Sequence, residues 1–396
     1  MLKFALWGSL AVMLYVYVGY PVVIYLLARR KRRKVRREEP GPTEWPFLTV
    51  LIPAHNEERW IRRKIENTLE LDYPRDCMQI LIASDGCTDR TVLIAGEFAS
   101  QGVEVNYVPE RKGKTATLNR VVPTVRGEIV LLTDANALLE KNAAKLLVKY
   151  FRDPEVACVT GVRVCLPTES SASEGEGLYW RYDAWIKHSE SEVYSCVGSH
   201  GQIVAVRKEL FPPIPVIGDD FYVPMKILIS TGRRIVFEQR AIARIPASKT
   251  LRLELERKIR SHVSLLRDLP LLKDGLNPRR SRIWCMFLSH AVLRLVVPFA
   301  MMAAFFSSAF LLKNGVAYRF FLLAQAVFYL AALAGFLLQQ ARVRSKPFYV
   351  PFYFCFANLA ILLAWIRWAR RKHQYAWVRT ERFLPPTQSV ENARNP

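Results

Sequence analysis

Leu48-Thr49-Val50-Leu51-Ile52-Pro53-Ala54-His55-Asn56-Glu57 decides the fold. Its apolar part predicts a strand over Leu48–Pro53 that delivers polar groups at its carboxyl end. Two further stretches repeat this form. Met78 to Ala83 predicts a strand running into Ser84-Asp85-Gly86-Cys87-Thr88-Asp89, and Glu128 to Thr133 predicts one running into Asp134-Ala135-Asn136. Near-continuous apolar runs fit strands of a parallel sheet covered on both faces. In an open α/β sheet ligands bind outside the carboxyl ends of the strands. Three strands therefore aim acidic and amide groups at one crevice.

Outward from these strands, helical patterns fill the gaps. Helices are expected over Glu58–Glu70, Thr88–Ser100, the segment from Arg111-Lys112-Gly113-Lys114 to Val122, and Glu140–Phe151. A short strand is expected at Val103–Val108. Beyond them come a strand over Val156–Val164, a long helix over Glu174–Tyr194, a strand over Gln202–Val206 and a helix opening at Asp219-Asp220. A short strand, Arg234–Phe237, and a charged helix, Glu254–Leu266, follow. The alternation predicts an α/β domain with helices on both faces of a mostly parallel sheet.

The ends of the chain are of another kind. Phe4 to Ala28 holds 25 residues without a charge, enough to cross a bilayer, which takes about 20 apolar residues. It lacks the cationic start and small-residue cleavage site of a signal peptide. Eight of the nine residues from Arg29 to Arg37 are basic. Such a run beside a span stays on the cytoplasmic side, which puts the N-terminus outside and the next domain in the cytoplasm. Three more apolar segments, Phe287–Leu312, Phe320–Leu338 and Phe348–Ile366, predict membrane helices. Basic residues flank both ends of the last one: Arg342, Arg344 and Lys346 before it, Arg367, Arg370, Arg371 and Lys372 after it. Both groups cannot be cytoplasmic if that segment crosses, so one of the three is re-entrant or interfacial, or the charge rule fails here.

Composition bounds the partners. The formal net charge is +22 over 396 residues, and 51% of residues are hydrophobic. Nucleic acid is the rival partner for a basic run, but no second basic face with interleaved aromatics follows, so no nucleic-acid partner is expected. The seven cysteines form no CxxC pair, against a zinc ribbon or a disulfide framework and in favour of free thiols in a reducing compartment.

The residues quoted above, with Asn119, Gly198-Ser199-His200-Gly201 and Gly218-Asp219-Asp220-Phe221, resemble the membrane-bound branch of the family 2 inverting glycosyltransferases. That branch includes the cellulose, chitin, hyaluronan and poly-N-acetylglucosamine synthases. The resemblance covers about Tyr20 to Pro298 and rests on the order and spacing of the motifs. It implies a GT-A-like nucleotide-sugar domain with one N-terminal and about three C-terminal transmembrane or interfacial helices. The expected divisions are an N-terminal membrane helix over 1–28, a basic juxtamembrane linker over 29–46, the cytoplasmic glycosyltransferase domain over 47–280, membrane helices over 281–368 and a tail over 369–396.

Roles follow residue by residue from the resemblance. Asp134 and Asn136 match a DxD metal site for Mg²⁺ or Mn²⁺, with Asn replacing the second Asp. Hard cations take oxygen ligands, and an amide oxygen ligates without charge; the alternative for Asn136 is a helix N-cap. Asp85 matches the carboxylate that reads the uracil base, or serves as a turn residue before Gly86. Glu57, Asn56 and the backbone at Pro53-Ala54 would line the nucleoside pocket, with His55 as a lining residue and not a catalytic one. Lys112 and Lys114 would face phosphates at a helix N-terminus, or be solvated surface charges. Gly198, Ser199, His200 and Gly201 would contact the substrate, as would Asn119. Inversion needs one base for the acceptor hydroxyl, and Asp220 matches it, with Asp219 orienting it or capping the helix. At the place of the QxxRW motif of processive relatives stands Arg257-Lys258-Ile259-Arg260-Ser261. Arg257 and Arg260 could neutralise the leaving diphosphate, but the Trp that stacks on the growing sugar chain is absent.

The reading implied is an integral membrane enzyme, cytoplasmic on its catalytic side. It would move a sugar from a nucleotide-sugar donor, a UDP-sugar, to a saccharide or lipid-linked acceptor. Membrane lipids and accessory export proteins are the other implied partners. Cell-surface polysaccharide synthesis and single transfer to a lipid carrier both fit. A silent nucleotide-sugar-binding scaffold would not need the base.

Overall fold

The computed structural model describes all residues except 32–44, 167–171, 216–217, 249, 342, 344 and 371–396. The basic run beyond Lys31, the linker and most of the tail lie outside the described residues. Eight strands form one sheet: β1 Leu48–Ala54, β2 Met78–Ser84, β3 Val103–Asn106, β4 Ile129–Leu132, β5 Leu138–Leu139, β6 Val156–Cys165, β7 Val204–Arg207 and β8 Arg234–Ile245. Thirteen α-helices are described: α1 Leu2–Leu14, α2 Tyr20–Arg30, α3 Ile61–Leu69, α4 Thr91–Gly96, α5 Lys114–Val121, α6 Ala143–Val148, α7 Ala172–Val193, α8 Asp219–Thr231, α9 Leu251–Asp268, α10 Ser281–Phe287, α11 Leu293–Phe310, α12 Val316–Gln340 and α13 Lys346–Ala369.

The sheet order is β3-β2-β1-β4-β7-β6-β8-β5. β1 is parallel to β2 and β4, with Leu51 opposite Leu81 and Leu132. β7 is antiparallel to both β4 and β6. Every residue of β1 and β2 is buried because apolar layers cover both faces. Side chains alternate between faces along a strand, so Leu48, Val50 and Ile52 join Ile61, Ile65 and Leu147 on one side. Leu51 joins Leu118, Val121 and Met225 on the other.

Three expectations change. β8 runs to Ile245 instead of stopping at Phe237; the charged Glu238-Gln239-Arg240 break in the apolar pattern hid its second half. Tyr150 and Arg240 both donate hydrogen bonds to the Glu238 carboxylate, which lets it stay buried there. The helices expected over Thr88–Ser100 and Glu140–Phe151 are each shortened to six residues, with 3₁₀ turns after them.

Four helices are long and apolar enough to cross a membrane: Leu2–Arg30, Pro278–Phe310, Val316–Gln340 and Pro347–Ala369. The first two are tied to the sheet domain through α7. The Tyr20 hydroxyl donates to Glu190 at 2.5 Å, His290 Nδ1 lies 2.7 Å from the same carboxylate, and the Val197 amide donates to it at 3.1 Å. The Tyr182 hydroxyl donates to the Tyr17 carbonyl at 2.8 Å, and Arg294 pairs with Asp183 at 3.2 Å.

Candidate active site

The crevice is built at the carboxyl ends of β1, β2 and β4 around three consecutive residues, Lys112, Gly113 and Lys114. The buried Asp85 carboxylate accepts the Lys112 amide at 2.7 Å and the Gly113 amide at 2.9 Å. The Lys114 ammonium lies 3.0 Å from Asp134 Oδ1 and 3.0 Å from Asp219 Oδ2. One short loop thus connects the acidic groups of β2, of β4 and of α8. Gly86 permits this closeness. Its φ is +60°, and a Cβ there would stand 2.6 Å from the Arg111 amide nitrogen.

Around β1, the Asp85 amide donates to the Ala54 carbonyl at 3.0 Å, and Pro53 and Ala54 are buried. Asn56 takes a left-handed backbone, φ 54°, and its Oδ1 accepts the Thr88 amide at 2.8 Å. Glu57 is buried, and its amide donates to Thr91 Oγ1 at 2.7 Å. His55 Nδ1 lies 2.6 Å from the Asp85 carbonyl oxygen. These contacts fasten the ends of β1 and β2 together.

Asp134 is nearly buried, and its Oδ2 accepts from Gln202 Nε2 at 3.2 Å. Asn136 lies in the turn between β4 and β5, well before α6 begins at Ala143, so it does not cap that helix. Beneath the turn, the buried Lys64 ammonium donates to Thr133 Oγ1 at 2.9 Å and to the Ala137 carbonyl at 2.5 Å. Burial lowers Lys64 to about 7, with Asp134 pulling the other way.

Asp220 opens the second turn side of the site. Its side chain is exposed to the crevice, while the surrounding protein walls push its carboxyl up to about 6, with the Asp219 charge adding to the shift. The Ser199 amide and hydroxyl hold the Asp220 carbonyl at 3.0 and 2.6 Å. Gly198 and Gly201 bring that loop against Phe221 and Asp220. At Gly218, φ +133°, a Cβ would collide with Ser264 Oγ at 2.2 Å and crowd Asp268 Oδ2 at 3.1 Å. Asp268 is 1% exposed. Its burial, then the Asp220 and Asp219 charges, push its carboxyl up to about 9.

Several residues expected to contact substrate have partners within the protein. His200 points into the protein: Nδ1 lies 2.9 Å from the Gly161 carbonyl, and the ring sits between Trp180 and Phe237. Burial and the nearby Lys187 lower it to about 4, so the imidazole is neutral. The Asn119 side chain clamps the loop before α8, donating to the Ile214 carbonyl at 2.8 Å and accepting the Ile214 amide at 2.9 Å. Lys112 is exposed and pairs with Glu110 at 3.0 Å. Arg257 is bound in a fork to Glu254, at 3.0 and 2.6 Å. Arg260 is half-buried on the same helix. Lys64, Gln202, Ser264 and Asp268 were not among the expected residues. Only helical phase signals Lys64, which shares the buried face of α3 with Ile61, Ile65 and Thr68.

A sheet of this order, with acidic and amide groups gathered at its carboxyl ends, is the GT-A-like architecture of nucleotide-sugar transferases. Residues 49–211 match the family described as Glycosyl transferase family 2, and this stretch is a family 2 glycosyltransferase domain. Among its relatives, the probable glycosyltransferase YdaM of Bacillus subtilis (strain 168) is 32% identical over 130 residues, 32% of this chain and 31% of the relative. A beta-monoglucosyldiacylglycerol synthase of Nostoc sp. (strain PCC 7120 / SAG 25.82 / UTEX 2576) is 27% identical over 192 residues, 47% of this chain and 40% of the relative. The matched part thus spans less than half the length of either curated relative. The fold is shared with the mannosyltransferase PcManGT of Pyrobaculum calidifontis, solved with GDP-Man and Mn²⁺. The TM-score is 0.67 at 22% identity, covering 94% of this chain and 100% of that one.

Proposed function

We propose that this protein is a membrane-bound inverting glycosyltransferase, with its catalytic domain in the cytoplasm. It moves a sugar from a UDP-sugar to a membrane-borne saccharide or lipid-linked acceptor during synthesis of cell-surface polysaccharide. The observation that carries the reading is the loop at residues 112–114, which brings Asp85, Asp134 and Asp219 to one crevice beside Asp220.

In this reading Asp134 and Asn136 would hold a divalent cation, Mg²⁺ or Mn²⁺, with Asp219 close by. The donor set fits: carboxylate and amide oxygens suit a hard ion, and substrate phosphates complete its sphere. Bound there, the ion would neutralise charge building on the leaving diphosphate. Lys114 supplies fixed positive charge at the same place. Asp85 and the β1 end hold the nucleoside side, and Asp85 does so with its carboxylate already bracing the phosphate-facing loop. Asp220, ionised above about 6, takes the proton of the acceptor hydroxyl as it attacks the anomeric carbon. Asp219 holds Lys114, and Ser199 fixes the backbone of Asp220.

A second reading, single transfer onto a lipid, is favoured by a cavity of about 930 Å³ between α9, α11, α12 and α13. Its walls include Leu255, Met302, Phe305, Leu333 and Phe356, with Arg252 at its border. An apolar cavity of this size fits hydrocarbon and not a bare sugar chain.

The experiment is transfer by the full chain in nanodiscs, with a panel of radiolabelled nucleotide sugars, with and without chelator. The expected result is incorporation from a UDP-sugar into lipid-extractable or polymeric product, abolished by chelator and restored by Mn²⁺ or Mg²⁺. Full activity in chelator, or no transfer from any donor, overturns the reading. Product length separates polymer from single addition.

A further inference from the structure

We propose that Lys64 and Asn67 of α3 are positioning residues for the cation: together they fix, from behind, the turn that carries Asp134 and Asn136. The proposal rests on the reading of that turn as the cation site.

The stretch Thr133-Asp134-Ala135-Asn136-Ala137 leaves β4 and must hold two oxygen ligands at set places. Its backbone turns at once, the Ala137 amide donating to the Asp134 carbonyl at 3.0 Å. On the crevice side the Asp134 carboxylate meets Lys114 at 3.0 Å and Gln202 at 3.2 Å. On the other side lies α3. Ala135, between the two ligands, is buried in one apolar cluster with Ile61 and Ile65 of that helix.

Residues three apart in a helix are neighbours on its surface, and Lys64 and Asn67 use this to grip consecutive parts of the turn. Lys64 holds its two ends, donating to Thr133 Oγ1 at 2.9 Å and to the Ala137 carbonyl at 2.5 Å. Asn67 holds the stretch that follows. Its side chain donates to the Leu139 carbonyl and accepts the Leu139 amide, both at 2.8 Å. Beyond α3, the Asp72 amide donates to the Lys141 carbonyl at 2.7 Å. The backbone on both sides of the two ligands is therefore fastened to one helix.

A purely structural position would not require lysine here. Lys64 is 0% exposed and shares its face of α3 with Ile61, Ile65 and Thr68. Burying a charge is costly unless it is paired and hydrogen-bonded, and among the described residues no carboxylate lies within ion-pair distance of it. An apolar side chain of the same length would fill the space without that cost. What lysine adds is reach: its flexible four-carbon stem carries one nitrogen to acceptors on either side of Asp134 and Asn136. An ammonium and a neutral amine both have donors enough for two bonds, so the grip persists in either protonation state.

Partners behind a metal's ligands orient them, and losing one typically costs about 10–100-fold in metal affinity. The effect weighs more at this turn because Asn136 brings no charge. Where one ligand attracts the cation weakly, its placement decides how much it contributes.

The test titrates Mn²⁺ into the full chain in nanodiscs with UDP present, reading free Mn²⁺ by electron paramagnetic resonance. UDP affinity in chelator is measured separately by calorimetry. Lys64→Met should weaken Mn²⁺ binding by about 10–100-fold and leave metal-free UDP affinity unchanged, and excess Mn²⁺ should restore its turnover. Asn67→Ala should act in the same direction. It decides the matter if Lys64→Met does not accumulate, since Asn67 is only partly buried. Unchanged Mn²⁺ affinity in the variants overturns the proposal while the cation reading stands. Equal loss of Mn²⁺ and of metal-free UDP affinity also overturns it, because that is the mark of a merely structural role. If the unaltered protein binds no Mn²⁺ with UDP present, the cation reading falls and the proposal falls with it.

Discussion

The ammonium of Lys114 lies 3.0 Å from the carboxylate of Asp134, and its other carboxylate contact is Asp219, also at 3.0 Å. Lys114→Met removes the cation and leaves those carboxylates facing each other. Turnover should fall by about 10²–10³, the loss found when one fixed electrostatic group is removed. Initial rates under saturating donor check this, with thermal melting to show that the fold persists.

Asp220→Asn keeps shape but cannot accept a proton. Turnover should fall by about 10²–10⁴, while titration calorimetry with UDP and Mn²⁺ shows binding retained. Asp219→Asn should instead weaken donor binding, through loss of its pair with Lys114, and leave more of the turnover. The reverse pattern identifies Asp219 as the base.

The base must be ionised, and Asp220 titrates near 6. In the unaltered protein kcat/KM should therefore drop as pH falls through about 6, approaching tenfold per unit below it. A profile flat down to pH 5 excludes a carboxyl of this pKa.

Asp268 predicts the opposite slope for stability. Its carboxyl is raised to about 9, above the unfolded value of about 3.9. The native state alone holds the proton between these limits, so this group removes stability as pH rises from about 4 to about 9, by up to about 1.4 kcal/mol per unit. Asp268→Asn should raise the melting temperature in detergent, more at pH 8.5 than at pH 5.5. An equal shift at both pH values refutes the protonated buried carboxyl.

Gly86→Ala forces a side chain into a left-handed backbone, costing about 1–2 kcal/mol, and into the Arg111 amide. The loop must move, so Asp85 loses its amide partners. Donor affinity should weaken at least tenfold, measured by calorimetry, with less effect on melting.

Strands β1, β2 and β4 were legible because burial on both faces demands unbroken apolar runs, and their ends named Asp85 and Asp134 directly. The second half of β8 was not legible, since Glu238 is charged in sequence and is satisfied in the fold by Tyr150 and Lys149, brought from the segment after α6, together with its strand neighbour Arg240. Lys64 and Asp268 were missed for a related reason: each ionisable side chain is buried by tertiary packing, and only the helical phase of α3 hints at Lys64. His200 was expected at the site because it lies in the Gly198–Gly201 motif, yet its own ring turns to Gly161. Local pattern locates strands; it does not say which way a loop side chain points.

Glu190 is fully buried, and its partners come from opposite ends of the chain: Tyr20 near the start and His290 a hundred residues later. This sets an order of events during synthesis. When the ribosome has completed residue 280, the sheet and all its strands exist, but this carboxylate still lacks its imidazole. A buried charge stripped of a partner costs about 3–5 kcal/mol, a large share of the total of about 5–15 that holds a domain together. The catalytic domain therefore reaches its full stability only after the following helix has emerged. A fragment cut at residues 47–280 lacks both Tyr20 and His290 and should melt at a lower temperature than the full chain.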